Sequence, residues 1–355
     1  MSHSKPLSPP SQLLLRQASH IDGQALLAVN PPDAGCADEL AIANSWHLHA
    51  GWAQHWPTRH HFGASAPQGE FDGAILWLPK EKKLTEYLLA SLAALLPSGA
   101  PVWLVGEKRS GIKSIHKTIA APWGAVQKVA DGNHSSLLVM RLTAQQAAID
   151  LTDFLVTKAL PQPPLEPLQL ASYPGVFAYP GIDAGSAMLL DHLPQFKAGT
   201  LLDFACGHGV LGAWLQRQQP DLKVSYLDVS AMALAACAKT LELNQLQGEL
   251  IAADRLSAEL PSYDIIVSHP PFHTGQATDY SIGQQFLRNA RQHLKPNGEL
   301  WLVANRFLPW PELIEESFGH CERIAQDNKF AVYLATHKVT ANKITGRKAP
   351  RRSRR

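Results

Sequence analysis

Cysteine is scarce in this 355-residue chain: Cys36, Cys206, Cys237 and Cys321 are scattered, with no Cys-x-x-Cys pair. Such spacing supports neither a disulfide frame nor a cysteine-ligated zinc site, and reads as reduced thiols in a cytoplasmic protein. No apolar run reaches membrane-spanning length. The opening MSHSKPLSPPSQ is too polar for a secretion signal, so no membrane partner is expected. Charged residues are only 17% of the chain, but hydrophobic ones are 45%, which argues against wholesale disorder. The length allows two domains, each with its own core.

Acid is missing from the end of the chain. Lys338 to Arg355 carries eight basic residues and no carboxylate, leaving 24 basic against 30 acidic side chains elsewhere. An acidic body with a basic tail fits tethering to a polyanion; the alternative is a disordered, solvated tail with no partner. Histidines crowd one region (His47, His49, His55, His60, His61). They lack H-x-x-x-H spacing or a cysteine partner and lie among Trp46, Trp52 and Trp56. They read as surface or packing residues, and no metal is expected.

A Pro-rich stretch, LPQPPLEPLQLASYPG, runs from Leu160 to Gly175. Proline there withholds backbone donors and fixes φ, so neither helix nor central strand is expected, and the domain boundary is placed near residue 160. The halves on either side share a rhythm. FDGAILWLPK, EYLLASLAALL, a Pro-Ser-Gly turn and PVWLVGEKR in the first answer YDIIVSHPPF, GQQFLRNARQHL, a Pro-Asn-Gly turn and ELWLVANRF in the second. This points to a duplicated α/β unit. The first half has no Gly-rich turn after its opening strand, so it is expected to bind substrate or act as scaffold rather than hold a nucleotide.

The second half carries the cofactor signal. TLLDF (Thr200 to Phe204) reads as a strand, and the glycines of Ala205-Cys206-Gly207-His208-Gly209-Val210-Leu211-Gly212 spell G-x-G-x-x-G before a helical stretch. Strand, glycine turn and helix together aim backbone N–H groups at a ligand. With Asp228 following roughly 20 residues on, a dinucleotide dehydrogenase is a competitor on this motif alone. Three carboxylates favour a different ligand. Asp203 just before the turn would repel a pyrophosphate but suits a cationic ammonium–sulfonium group. Asp228, ending KVSYLD, can accept from both ribose hydroxyls, and Asp254, in ELIAADRLS, from an adenine amine. Ala205 restricts φ, so the turn is expected to use a conformation open to any L-residue.

After the fourth strand comes Ser268-His269-Pro270-Pro271-Phe272. It resembles the (Asn/Asp)-Pro-Pro-(Phe/Tyr/Trp) signature of methyltransferases acting on amino nitrogens held in a π system. There an acceptor helps localise the nitrogen lone pair, a rigid turn fixes a backbone carbonyl, and the aromatic offers a stacking face.

With GEKRSGIKS (Gly106 to Ser114), YPGVFAYPGIDAGSAMLL (Tyr173 to Leu190) and VANRFLPWP (Val303 to Pro311), the resemblance covers nearly the whole chain. The sequence resembles the small-subunit ribosomal RNA methyltransferase C family, the 16S rRNA (guanine(1207)-N2)-methyltransferases. The resemblance implies two tandem class I, Rossmann-like α/β methyltransferase domains: a degenerate one over 1–160, a catalytic one over 161–337, then the tail, 338–355. It also implies S-adenosyl-L-methionine as cofactor, 16S rRNA in the small ribosomal subunit as partner, and a monomer. Cofactor contacts are expected from Phe177, Asp183, Gly185, Asp203, Ala205, Gly207, Gly209, Asp228 and Asp254, and catalytic roles from His269, Pro270 and Phe272. His269 replaces the usual Asn. A neutral imidazole has one acceptor nitrogen where an amide oxygen has two lone pairs. Two other readings stay open: a large-subunit 23S rRNA guanine-N2 methyltransferase, and an RNA-binding assembly factor weakened in catalysis.

Overall fold

The computed structural model describes residues 7–117, 119, 121–270 and 281–338. Phe272 and the tail beyond Lys338 lie outside these residues.

Two mixed sheets repeat one topology. The first comprises β1 (Leu26–Val29), β2 (Ile42–His47), β3 (His60–Phe62), β4 (Gly73–Trp77), β5 (Pro101–Glu107), β6 (Gln127–Gly132) and β7 (Ser135–Arg141) in the order 3-2-1-4-5-7-6. The second comprises β10 (Gly199–Phe204), β11 (Leu222–Asp228), β12 (Glu249–Ala252), β13 (Tyr263–Ser268), β14 (Leu294–Asn305), β15 (Glu322–Gln326) and β16 (Phe330–Thr336). Its order, 12-11-10-13-14-16-15, is the same pattern, parallel except for the antiparallel last pairings. The shared order supports duplication of one unit.

The inner strands carry mostly apolar runs because both faces are covered; β4, GAILW, is buried throughout. In the first domain α1 (Pro9–Arg16), α2 (Ala50–Ala53) and α3 (Lys82–Leu95) flank the sheet. Leu84, Leu88 and Leu92 of α3 recur every four residues on its buried face. In the second, α4 (Ala184–His192), α5 (Val210–Gln218), α6 (Ala231–Leu243), α7 (Ser281–Gln292) and α8 (Trp310–Phe318) do the same. Met232 and Ala236 of α6, with Tyr173 and Val176, are buried in the core of the first domain, so the two units share an apolar seam.

The Pro-rich stretch is more ordered than its composition implies. It forms an antiparallel ribbon, β8 (Val156–Gln162) and β9 (Leu165–Ser172), turning at Pro163-Pro164. Prolines fall at the turn and on a two-stranded ribbon, where missing donors leave few partners unmet. The Ala171 N–H donates to Thr240 Oγ1 at 3.0 Å, tying β9 to α6.

The histidine cluster divides between packing and surface, with His55 and His60 exposed. His47 is buried edge-on to Trp56 with Nε2 2.8 Å from Ser45 Oγ, and His49 stacks on Trp52. Among the described residues no three His, Cys, Asp or Glu side chains converge to hold a metal, and no helix is long and apolar enough to cross a membrane.

Candidate functional site

Strand order reverses at β10, with β11 on one side and β13 on the other. A cavity of about 380 Å³ opens there, at the carboxyl edge of the second sheet. This is where parallel sheets generally place ligands, and the volume falls in the range of small-molecule sites.

Its floor is the turn from β10 into α5. Gly207 and Gly209 have φ of +56° and +77°, and a β-carbon at 207 would meet nothing within 4 Å, so the backbone there faces open cavity. Ala205 corrects an expectation: its φ is +57°, in the left-handed region. The bend that turns the chain beneath the ligand requires it, and alanine tolerates it at a cost. Gly209 caps α5 from behind the floor, where a β-carbon would come 2.5 Å from Cys237 Sγ.

Asp203 corrects a second expectation. It is fully buried, accepts from the Gly212 N–H at 2.9 Å, and is not among the cavity-lining residues. Burial holds its pKa well above the carboxylate range. Asp203 supports the turn from behind instead of meeting a ligand, because its side chain points down the α5 side of the sheet.

Two other acids do line the cavity. Asp228, at the end of β11, accepts from the Gly207 N–H through Oδ2 and from the Ser230 N–H through Oδ1, both at 2.8 Å. With the Val229 N–H also turned to this carboxylate, acceptor capacity remains for a ligand hydroxyl. Burial raises its pKa. Asp254, just beyond β12, lines the same wall, with Arg255 Nε 3.8 Å from its Oδ1.

The opposite wall carries His269 and Pro270 just past β13. The imidazole Nδ1 lies 2.9 Å from Ser186 Oγ and 3.6 Å from Asp183 Oδ1, with Phe177 and Phe330 edge-on to the ring. Asp183 lines the cavity and caps α4 through the Gly185 N–H. Phe177 lines it too, 48% exposed. Gly185 does not line it; it packs under the imidazole.

Some lining residues were not visible in the sequence. Ser186 is one, although its place beside Asp183 and Gly185 was a signal. His208 is another: Nε2 lies 2.9 Å from the Gly181 carbonyl, Nδ1 is buried without a partner, and burial lowers its pKa. Gln285 and Asn289 reach the cavity from α7 and had no local signal at all.

Among the described residues, lining carboxylates at 183, 228 and 254 face one guanidinium, Arg255. Such a wall suits a cation bearing ribose and a base and opposes a pyrophosphate, so S-adenosylmethionine fits where a dinucleotide does not. Asp228 would hold the ribose and Asp254 the adenine amine.

Comparison with known proteins decides the family. The N-terminal part of the methyltransferase small domain matches residues 11–157, and the methyltransferase small domain itself matches 167–334. Ribosomal RNA small subunit methyltransferase C of Stutzerimonas stutzeri is 41% identical over 333 residues, covering 93% of this chain and 99% of that protein. Its Pseudomonas aeruginosa (strain UCBPP-PA14) counterpart is 43% identical with the same coverage. The chain belongs to the ribosomal RNA small subunit methyltransferase C family. Family membership sets aside the dehydrogenase reading. The tandem fold of the family also appears in a solved structure, the T. Thermophilus 16S rRNA N2 G1207 methyltransferase in complex with AdoMet and guanosine. It superposes with a TM-score of 0.80 at 22% identity, covering 93% of this chain and 92% of that one.

Proposed function

We propose that this protein transfers a methyl group from S-adenosyl-L-methionine to the exocyclic N2 amine of a guanine in small-subunit 16S rRNA, position 1207 by family. The observation that carries this reading is the single cavity with Asp228 and Asp254 on one wall and His269-Pro270 on the other. The relatives named for small-subunit rRNA favour that subunit over the large one.

When bound, the cofactor supplies a methyl on a positively charged sulfonium. The protein's part is to place the amine and localise its lone pair, which is otherwise delocalised into the guanine ring. Ser186 and Asp183 beside Nδ1 favour a proton on that nitrogen, leaving Nε2 as the ring acceptor for an amine N–H. The Pro270 carbonyl is the second acceptor in this reading. Transfer would leave the cofactor as a neutral thioether, and the proton that the methylated amine sheds would pass to its acceptor, His269 Nε2, and on to bulk water. Residues 1–160 serve as the substrate-binding or scaffolding unit and 161–337 as the catalytic unit. We take the protein to act as a cytoplasmic monomer.

The test is methyl transfer from labelled S-adenosylmethionine to small subunits and 16S rRNA from cells lacking this gene, with the modified nucleotide mapped by mass spectrometry. N2-methylguanine at one site is expected. Cofactor binding without transfer to either substrate, or to large subunits offered alongside, would favour the assembly-factor reading instead.

A further inference from the structure

The first domain closes on this cavity at the Asp254 end. The chain leaving β2 lies antiparallel to the chain leaving β11, and His49 pairs with Ser230. The Ala50 N–H donates to the Val229 carbonyl at 2.8 Å and the Ala231 N–H to the Leu48 carbonyl at 2.9 Å. These partners directly follow Asp228. The same crossing sets Gly51, in α2, against Asp254. A β-carbon at 51 would lie 2.7 Å from Asp254 Oδ2 and 3.1 Å from its Cβ and Cγ. Nothing in the backbone at 51 calls for glycine: it is helical, without positive φ, where alanine is the better helix former. The space that glycine leaves is the space the carboxylate uses.

We propose that Gly51 is a positioning residue for cofactor recognition, keeping the Asp254 carboxylate turned toward the adenine amine. The first domain thereby sets base selectivity in the second. This rests on reading the cavity as the S-adenosylmethionine site. The nearest atom that alanine would strike is the carboxylate oxygen, which a side-chain rotation turns aside, toward Arg255, while the Asp254 Cβ at 3.1 Å asks the backbone to give by only a few tenths of an ångström.

Calorimetry on the full chain with S-adenosylhomocysteine and S-inosylhomocysteine, which has a carbonyl in place of the adenine amine, tests this. The parent should prefer the adenosyl ligand by roughly tenfold or more, the scale of one hydrogen bond to a charged group. Gly51→Ala should bring that ratio near one with inosyl affinity within about twofold of the parent, and adding Asp254→Ala should cost nothing further, as for groups acting through each other. A merely structural role for Gly51 would lower the melting temperature and spare the ratio. A parent-like ratio in a folded Gly51→Ala overturns the proposal, and so does a parent that does not discriminate. If neither ligand binds the parent, the cofactor reading itself falls and takes this proposal with it. If Gly51→Ala alone does not fold, Asp254→Ala must restore folding by removing the obstructing carboxylate; failure to do so also overturns it.

Discussion

Gly185 lies directly beneath His269: a β-carbon there would come 2.8 Å from the imidazole Cε1 and 3.0 Å from Phe330. The first turn of α4 thus holds the ring from below through Gly185 while Ser186 meets its Nδ1 from the side. A ring so fixed serves as a directional acceptor. His269→Asn should keep transfer, since an amide oxygen accepts as well, and His269→Ala should slow single-turnover transfer by about 10²-fold or more, the scale of a lost positioned group. Cofactor affinity should be unchanged in both. Acidification should slow the parent, because imidazolium has donors on both nitrogens, and should not slow His269→Asn in the same way. Full-rate transfer by His269→Ala would make the histidine a bystander.

Asp228 and Asp203 should separate cleanly. Asp228→Ala should weaken S-adenosylmethionine binding by about 1.5–3 kcal/mol, the loss of hydrogen bonds to a charged group. Asp203→Asn should change it far less, since the amide oxygen still accepts from Gly212. Because burial raises the pKa of Asp228, affinity should begin to fall with acidification above the pH at which an ordinary carboxylate protonates. Titration calorimetry of both variants decides it; equal losses would put Asp203 at the ligand after all.

Ala205 holds a left-handed conformation that costs an L-residue about 1–2 kcal/mol. Glycine removes that strain but gains freedom in the unfolded chain worth about 0.4–1 kcal/mol. Ala205→Gly should therefore stabilise the protein modestly, on the order of 0.5 kcal/mol or more. Urea unfolding at unchanged m-value is the measurement, and clear destabilisation would contradict the strain.

His47 makes stability depend on acid. Burial, with His60 and His49 nearby, pushes its pKa down to about 4. The unfolded chain protonates this histidine from about pH 6.5 downward while the folded one stays neutral, so the unfolded state binds more protons. The contribution is complete above pH 6.5 and is lost progressively between there and about 4, on the order of 3 kcal/mol in all. Urea midpoints of His47→Gln should fall less over that window than those of the parent; parallel curves would assign the acid sensitivity elsewhere.

The sequence alone determined what rests on short segments. Apolar runs such as GAILW and YDIIV, glycines after TLLDF, and acids ending successive strands are local patterns, because strand burial and turn geometry act over a few residues. Hence the doubled α/β plan, the turn into α5, and the neighbourhood of Asp228 and His269 were legible. Side-chain direction was not. Asp203 sits next to the turn in sequence, yet the pleat sends its carboxylate beneath the sheet edge to Gly212 while Asp228 faces the cavity. The left-handed Ala205 was equally hidden, since surrounding structure can impose a φ that residue type disfavours. Ser186 beside His269 and Gly51 against Asp254 arise from contacts between residues far apart in the chain. Only burying both apolar faces of each sheet brings α4 onto β14 and β16 and the first domain onto the second, and only that packing completes the cavity.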